Sequence, residues 1–131
     1  MILDSSAIIA VLTREPDAQT FADAIDVAEI CNVSAATYLE AAIVIDAKRE
    51  PFASRKFDDF FSKASVAIVP VDAAQARIAR EAYRDFGRGS GHPARLNFGD
   101  CFAYALAKAA DEPLLYKGKD FSHTDVKSAL P

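Results

Sequence analysis

The 131-residue chain is short of several things, and each shortage removes a class of protein. It has two cysteines, Cys31 and Cys101, far apart and in no CxxC pair. That leaves neither a disulfide framework nor a zinc motif, and both thiols are expected to be reduced and buried. The two histidines, His92 and His123, lack metal-ligand spacing and read as loop or surface residues. No apolar run reaches the roughly 18 residues that a membrane span needs. MILDSSAII carries no basic stretch ahead of an apolar one, so a signal peptide is not expected and the cytoplasm is the expected location. Glycine-rich sequence is limited to GRGSG at 87–91, too short for a domain linker. Positive charge is also in deficit, with 15 basic against 19 acidic residues and a net charge of −4. Proteins that grip nucleic acid by charge alone are usually basic. If this chain acts on a nucleic acid, something else must bring positive charge into its site.

What is present is globular. Hydrophobic residues make up 51% of the chain, enough for a core, and the length fits one domain over residues 1–131. Ile2 and Leu3 form a very short strand ending at Asp4, after which Ser5 or Ser6 can cap a helix through Leu12. Glu15, Pro16 and Asp17 mark a second helix start, and Phe21, Ala24, Ile25 and Ala28 follow at helical spacing. AEICNV (28–33) reads as a buried strand, and Ser34 as the cap of the next helix. Pro51 opens a helix to about Lys63. VAIVPV (66–71) reads as a strand, Asp72 caps a helix to about Phe86, and GRGSGHP (87–93) is a loop. NFGDCFAYALAKAAD starts at an Asn97 cap and is apolar nearly all round, so it should be buried. LLY (114–116) is the next strand, and the tail has room for one more. Short apolar strands alternating with helices predict an α/β fold, with a mostly parallel sheet covered on both faces.

Four acids stand out against this frame. Sites in open parallel sheets form beyond the carboxyl ends of the strands. Asp4 ends the first strand and Asp120 follows the strand at 114, so both should project from one rim. Glu40 shares a helix face with Ala36, Thr37, Ile43 and Val44. It is either a ligand or a rim carboxylate that reaches water. Asp100 occupies the first turn of the apolar helix, where the dipole and a capping box both tolerate an acid. Clustered carboxylates raise one another's pKa, and a divalent cation removes that cost. All-oxygen donors suit Mg²⁺, with Mn²⁺ a substitute. Such an ion also supplies the positive charge the chain lacks and keeps several waters for a substrate or nucleophile.

Three further groups have a bland and a sharp reading. Arg77, Arg80, Arg84 and Arg88 recur at helical spacing with Glu81 and Asp85 between them, as a salt-bridged exposed face or a stripe for docking a polyanion. Lys117, Lys119, Arg88 and Arg95 are solvated loop residues or phosphate contacts. Phe52, Phe57, Phe60 and Phe61 crowd one helix, as core or in part as an exposed partner site. Two rivals to a metal-dependent enzyme remain. One is a phosphate-handling enzyme or phospho-receiver using Asp4, Lys117 and Thr124, which leaves Glu40 and Asp100 without a role. The other is a metal-binding module without catalysis, in which the acids only hold a structural ion.

LDSSA at 3–7, SAATYLEAA at 34–42, ARLNFGDCFAYALA at 94–107 and LLYKGKDFSHTD at 114–125 together resemble the PIN-domain ribonucleases, specifically toxins of the VapC type from type II toxin–antitoxin systems. The resemblance runs almost end to end. It implies a PIN-like three-layer α/β/α sandwich around a four- to five-stranded sheet. It implies a Mg²⁺-dependent endoribonuclease that cleaves single-stranded regions of RNA. The family's acidic quartet falls on Asp4, Glu40, Asp100 and Asp120, with Asp4 and Asp100 as the leading metal ligands. Ser6, Thr124 and Asp125 match polar positions near the family site and would support the ligands. The resemblance also implies a homodimer and a small VapB-type antitoxin whose C-terminal segment blocks the acidic pocket.

Overall fold

A computed structural model describes residues 1–131. The chain runs β1 (Ile2–Leu3), α1 (Ser5–Leu12), α2 (Ala18–Val27), β2 (Asn32–Ser34), α3 (Ala35–Asp46), α4 (Pro51–Lys63), β3 (Ala67–Val69), α5 (Ala73–Phe86), α6 (Phe98–Ala110) and β4 (Leu114–Leu115), then a 3₁₀ turn at Phe121–His123. All strand pairs are parallel and the order across the sheet is β3-β2-β1-β4. A parallel bridge between Leu114 and Ser128 is all that exists of the extra strand expected in the tail.

Alternation along two-residue strands builds the three layers. Ile2 and Leu114, in register with each other, pack on one face with Ala79, Ala82, Leu96 and Tyr104 from α5, α6 and the loop between them. Leu3 and Leu115, one residue on, face the other side and join Ile8, Phe21, Ile25, Ala41 and Phe57 from α1 to α4. Successive strand residues point to opposite faces, so two residues suffice to bind both layers. Both thiols are free and buried, as expected.

Local signals set most helix starts. Asp72 accepts from Gln75 N at the head of α5, Pro51 occupies the first turn of α4, and Asn97 accepts from Asp100 N at the head of α6. Several expectations shift. The cap of α1 is Asp4 itself, and Ser5 and Ser6 are its first helical residues. Ser34 stands at the cap position of α3, but its buried hydroxyl makes no capping bond. The start expected at 15–17 holds, with Asp17 at the cap position of α2, although its side chain makes no capping bond. Strand β2 begins at Asn32 rather than Ala28, because Ala28 terminates α2 and Ile30 lies in solvent at 63% exposure. Among the four phenylalanines of α4, Phe57 is buried in a cluster with Tyr38 and Phe61, while Phe52 is exposed.

Strand order places the site. From β1 the chain steps outward to β2 and β3, then returns across β1 to form β4 on the other side. The reversal opens a crevice at the carboxyl end of β1, the usual position of a ligand site in such sheets. Asp4 stands at that end.

Candidate active site

Asp4 is 3% exposed, a rare condition for a carboxylate. Its Oδ2 accepts from Ser6 N at 3.1 Å and from Ser6 Oγ at 2.6 Å. Its Oδ1 is buried with no partner at all. Burial pushes the Asp4 carboxyl up to about 6, and the nearby charges of Asp100 and Glu40 add to this while the Ser6 bonds oppose it. An unpartnered buried carboxylate oxygen costs free energy unless something meets it.

Asp100 holds a double position. Asn97 Oδ1 accepts from Asp100 N at 2.8 Å, and Asp100 Oδ2 accepts from Asn97 N at 2.9 Å. The capping box is therefore complete and fixes the side chain at the mouth of α6 with one oxygen engaged. Burial raises the Asp100 carboxyl, and the charges of Asp120 and Glu40 raise it further, while the Asn97 bond and the Arg88 guanidinium pull it down.

Glu40, on the second turn of α3, accepts from Ser5 Oγ at 2.8 Å. Its carboxylate lies over the Gly99 backbone, where an added Cβ would come within 2.7 Å of Glu40 Cδ. Asp120 is exposed at the start of the 3₁₀ turn. The structure thus gathers all four acids at the rim, where Asp4 feels Asp100 and Glu40, and Asp100 feels Glu40 and Asp120. The side chains as placed do not bring three His, Cys, Asp or Glu residues close enough to hold a metal ion together. The donor set is of the kind a hard divalent cation takes: carboxylate oxygens, one of them buried and without a partner.

The supporting residues divide. Ser6 belongs to the rim, since its hydroxyl donates to Asp4 and accepts from Lys117 N at 2.9 Å, tying the loop after β4 to the end of β1. Thr124 turns its hydroxyl to Phe121 O at 2.7 Å, closing the 3₁₀ turn. Asp125 accepts from Tyr104 Oη at 2.6 Å and pairs with Lys108 at 2.9 Å along the flank of α6, and its bonds reach none of the four acids. Two contacts escaped the sequence reading, Ser5 and Gly99, both on Glu40. Ser5 was visible as a helix-start serine one residue after Asp4. Gly99 carried no signal beyond being a glycine inside a helical pattern.

The basic residues also sort. The Lys117 ammonium is paired with Glu15 and, at 3.0 Å, with Asp17, so it is not a free phosphate contact. Arg84 pairs only with its chain neighbour Asp85 at 2.8 Å, while Arg77, Arg80 and Arg88 are exposed and form no ion pair. The expected salt-bridged ladder on α5 is thus mostly unbuilt. His92 Nδ1 accepts from Ala94 N and its ring rests edge-on against Phe86. The face around Glu40 is apolar but open, with Ile43 at 58% and Leu39 at 57% exposure. Phe98 beside it is 76% exposed, and no helix is long and apolar enough to cross a membrane.

Comparison with known proteins agrees with this fold. The PIN domain family matches residues 1–127. Ribonuclease VapC28 of Mycobacterium tuberculosis is 56% identical over 130 residues, covering 99% of this chain and 98% of its own. Ribonuclease VapC30 of the same species is 48% identical over 132 residues, covering all of both chains. The crystal structure of M. tuberculosis VapC20, a toxin that cleaves the sarcin–ricin loop, superposes with a TM-score of 0.75 over 95% of each chain at 16% identity, a likeness of fold. With its family matched nearly end to end and its acids gathered at the rim where the parallel sheet reverses direction, this chain belongs to the PIN domain family, among its VapC members.

Proposed function

We propose that this chain is the toxin of a type II toxin–antitoxin pair, an endoribonuclease that cleaves single-stranded regions of RNA with Mg²⁺, or Mn²⁺ in its place. The observation that carries the reading is Asp4: buried, raised in pKa, and left with one oxygen unpartnered among other acids. Asp4 and Asp100 would hold the ion, with Glu40 and Asp120 completing the site, partly through waters. When bound, the ion would activate water and neutralise charge on the phosphate.

The chain's own groups have defined parts in this reading. Ser6 holds Asp4 in its acceptor geometry, Asn97 holds Asp100, and Ser5 holds Glu40. Arg88, whose charge already reaches Asp100, is placed to meet the RNA backbone beside the scissile bond. Arg77 and Arg80 extend unpaired positive charge along α5. The phospho-receiver alternative needs a free lysine at the rim, and Lys117 is committed to Glu15 and Asp17.

Two partners follow from the same reading. A VapB-type antitoxin would cover the acid rim with a basic side chain and lay apolar residues along the surface at Val11, Ala22, Ile25, Phe60 and Ala64. A homodimer would cover the open patch of Leu39, Ile43, Tyr83 and Phe98. The proposed setting is the cytoplasm, with residues 1–131 as one domain. The test is cleavage of single-stranded RNA by protein freed of any antitoxin. Activity with Mg²⁺, none with EDTA and none in Asp100→Asn supports the reading. No cleavage by the wild type, or equal cleavage by Asp100→Asn, overturns it.

A further inference from the structure

Glu40 is held in place by two groups from outside its own helix. Ser5 Oγ, from the first turn of α1, donates to Oε1 at 2.8 Å. On the opposite side the carboxylate rests on Gly99, the second residue of α6. A Cβ at Gly99 would lie 2.7 Å from Glu40 Cδ and 3.0 Å from Oε1, and closer still to Oε2.

The glycine is not explained by its backbone. Gly89, Gly91 and Gly118 have positive φ, and Gly99 does not. It sits in a regular helix, where alanine is the better helix former. The three atoms nearest to a side chain at this position all belong to the carboxylate of Glu40.

We propose that Ser5 and Gly99 are positioning residues that together fix the Glu40 carboxylate toward the ion site, Ser5 by a hydrogen bond and Gly99 by the absence of a side chain. The proposal rests on the reading of Glu40 as part of a divalent-ion site. It has a consequence that a packing role for Gly99 lacks. The obstacle to a Cβ is the far end of a flexible side chain, not backbone. Gly99→Ala therefore leaves the fold intact and swings Glu40 out of place. Shortening Glu40 by one methylene, as Glu40→Asp, draws the carboxylate back from the new methyl group.

The experiment compares wild type, Glu40→Gln, Gly99→Ala, Ser5→Ala, Glu40→Asp, and the double variant carrying both Gly99→Ala and Glu40→Asp. Three quantities are read: Mn²⁺ affinity by electron paramagnetic resonance, thermal midpoint, and RNA cleavage rate. Gly99→Ala is expected to keep or raise the midpoint while losing roughly 10- to 100-fold in Mn²⁺ affinity and in rate, the range seen when groups that orient metal ligands are removed. Ser5→Ala loses both in the same sense. Glu40→Asp recovers part of the loss when added to Gly99→Ala. Wild-type Mn²⁺ affinity and rate in Gly99→Ala, beside a crippled Glu40→Gln, overturns the proposal alone. So does a double variant no better than Gly99→Ala. If Glu40→Gln binds Mn²⁺ and cleaves like wild type, Glu40 has no part in the site and both readings fall. Should Gly99→Ala fail to fold, Ser5→Ala decides, and its wild-type behaviour in Mn²⁺ binding and cleavage overturns the proposal.

Discussion

Ser6 Oγ donates to Asp4 Oδ2 at 2.6 Å and itself accepts from the Lys117 backbone N–H at 2.9 Å. One hydroxyl thus orients the buried acid and anchors the loop that leads to Asp120. Its bond also lowers the Asp4 pKa against the pull of burial. In Ser6→Ala that support is lost, the Asp4 pKa rises further, and the acid limb of the cleavage profile moves to higher pH. A rate loss of roughly 10- to 100-fold at neutral pH is expected. A pH–rate series in Mg²⁺ checks it, and an unmoved acid limb counts against this role for Ser6.

Stability without metal should fall as pH rises. The folded pKa of Asp4, about 6, lies above the ordinary value of 3.8. Protonated Asp4 therefore favours the folded state, fully so below about pH 4. That stabilisation is lost as pH climbs through about 6 and amounts to on the order of 3 kcal/mol. The raised carboxyl of Asp100 acts in the same direction. Thermal midpoints in EDTA should drop between about pH 4 and 6.5, and Mg²⁺ should restore them at the upper end by binding the folded state. Asp4→Asn should flatten most of this dependence while abolishing cleavage.

Asn97 couples helix stability to site geometry, because its side chain and its backbone N–H make the two halves of the capping box with Asp100. Asn97→Ala should cost about 1 kcal/mol of stability and reduce cleavage by freeing Asp100. Asn97→Ser, which retains a capping oxygen, should preserve both. Denaturant unfolding and single-turnover cleavage on the three proteins separate these outcomes.

Leu39 and Ile43, on the helix that carries Glu40, and Phe98, beside Gly99, are exposed apolar residues near the acid rim. Ile43→Glu and Phe98→Glu should shift a wild-type dimer to monomer in light scattering coupled to size exclusion, with little change in thermal midpoint, since neither side chain supports the core. A wild type that runs as a monomer at micromolar concentration removes the dimer from the proposed function.

The parts of the fold that could be read in the sequence were those with local chemistry. Asp72, Pro51 and Asn97 announce helix starts through side-chain caps or a fixed φ, and each helix begins where these residues place it. Strand bounds were less legible because two- and three-residue strands are set by their neighbours, and Ile30 is an apolar residue that ends up in solvent. Asp4 and Asp120 could be assigned to one rim from strand ends alone. That Asp125 spends its carboxylate on Tyr104 and Lys108 could not, because those partners lie 21 and 17 residues away along the chain. The same holds for Gly99 and Glu40, which meet only once α3 and α6 have packed. Ion pairing on α5 was misread because Arg84 turns to its neighbour Asp85 rather than along the helix.

The central strand β1 is completed on one side by β4, and the loop after β4 is fastened to Ser6. The first four residues of the chain and the stretch from 114 to 120 are therefore two halves of one clasp. A chain cut short before β4 would leave β1 with a bare edge, Asp4 without its covering loop, and Asp120 missing altogether. The acid rim is therefore a late product of the chain, complete only once residues 114–120 have joined the first four.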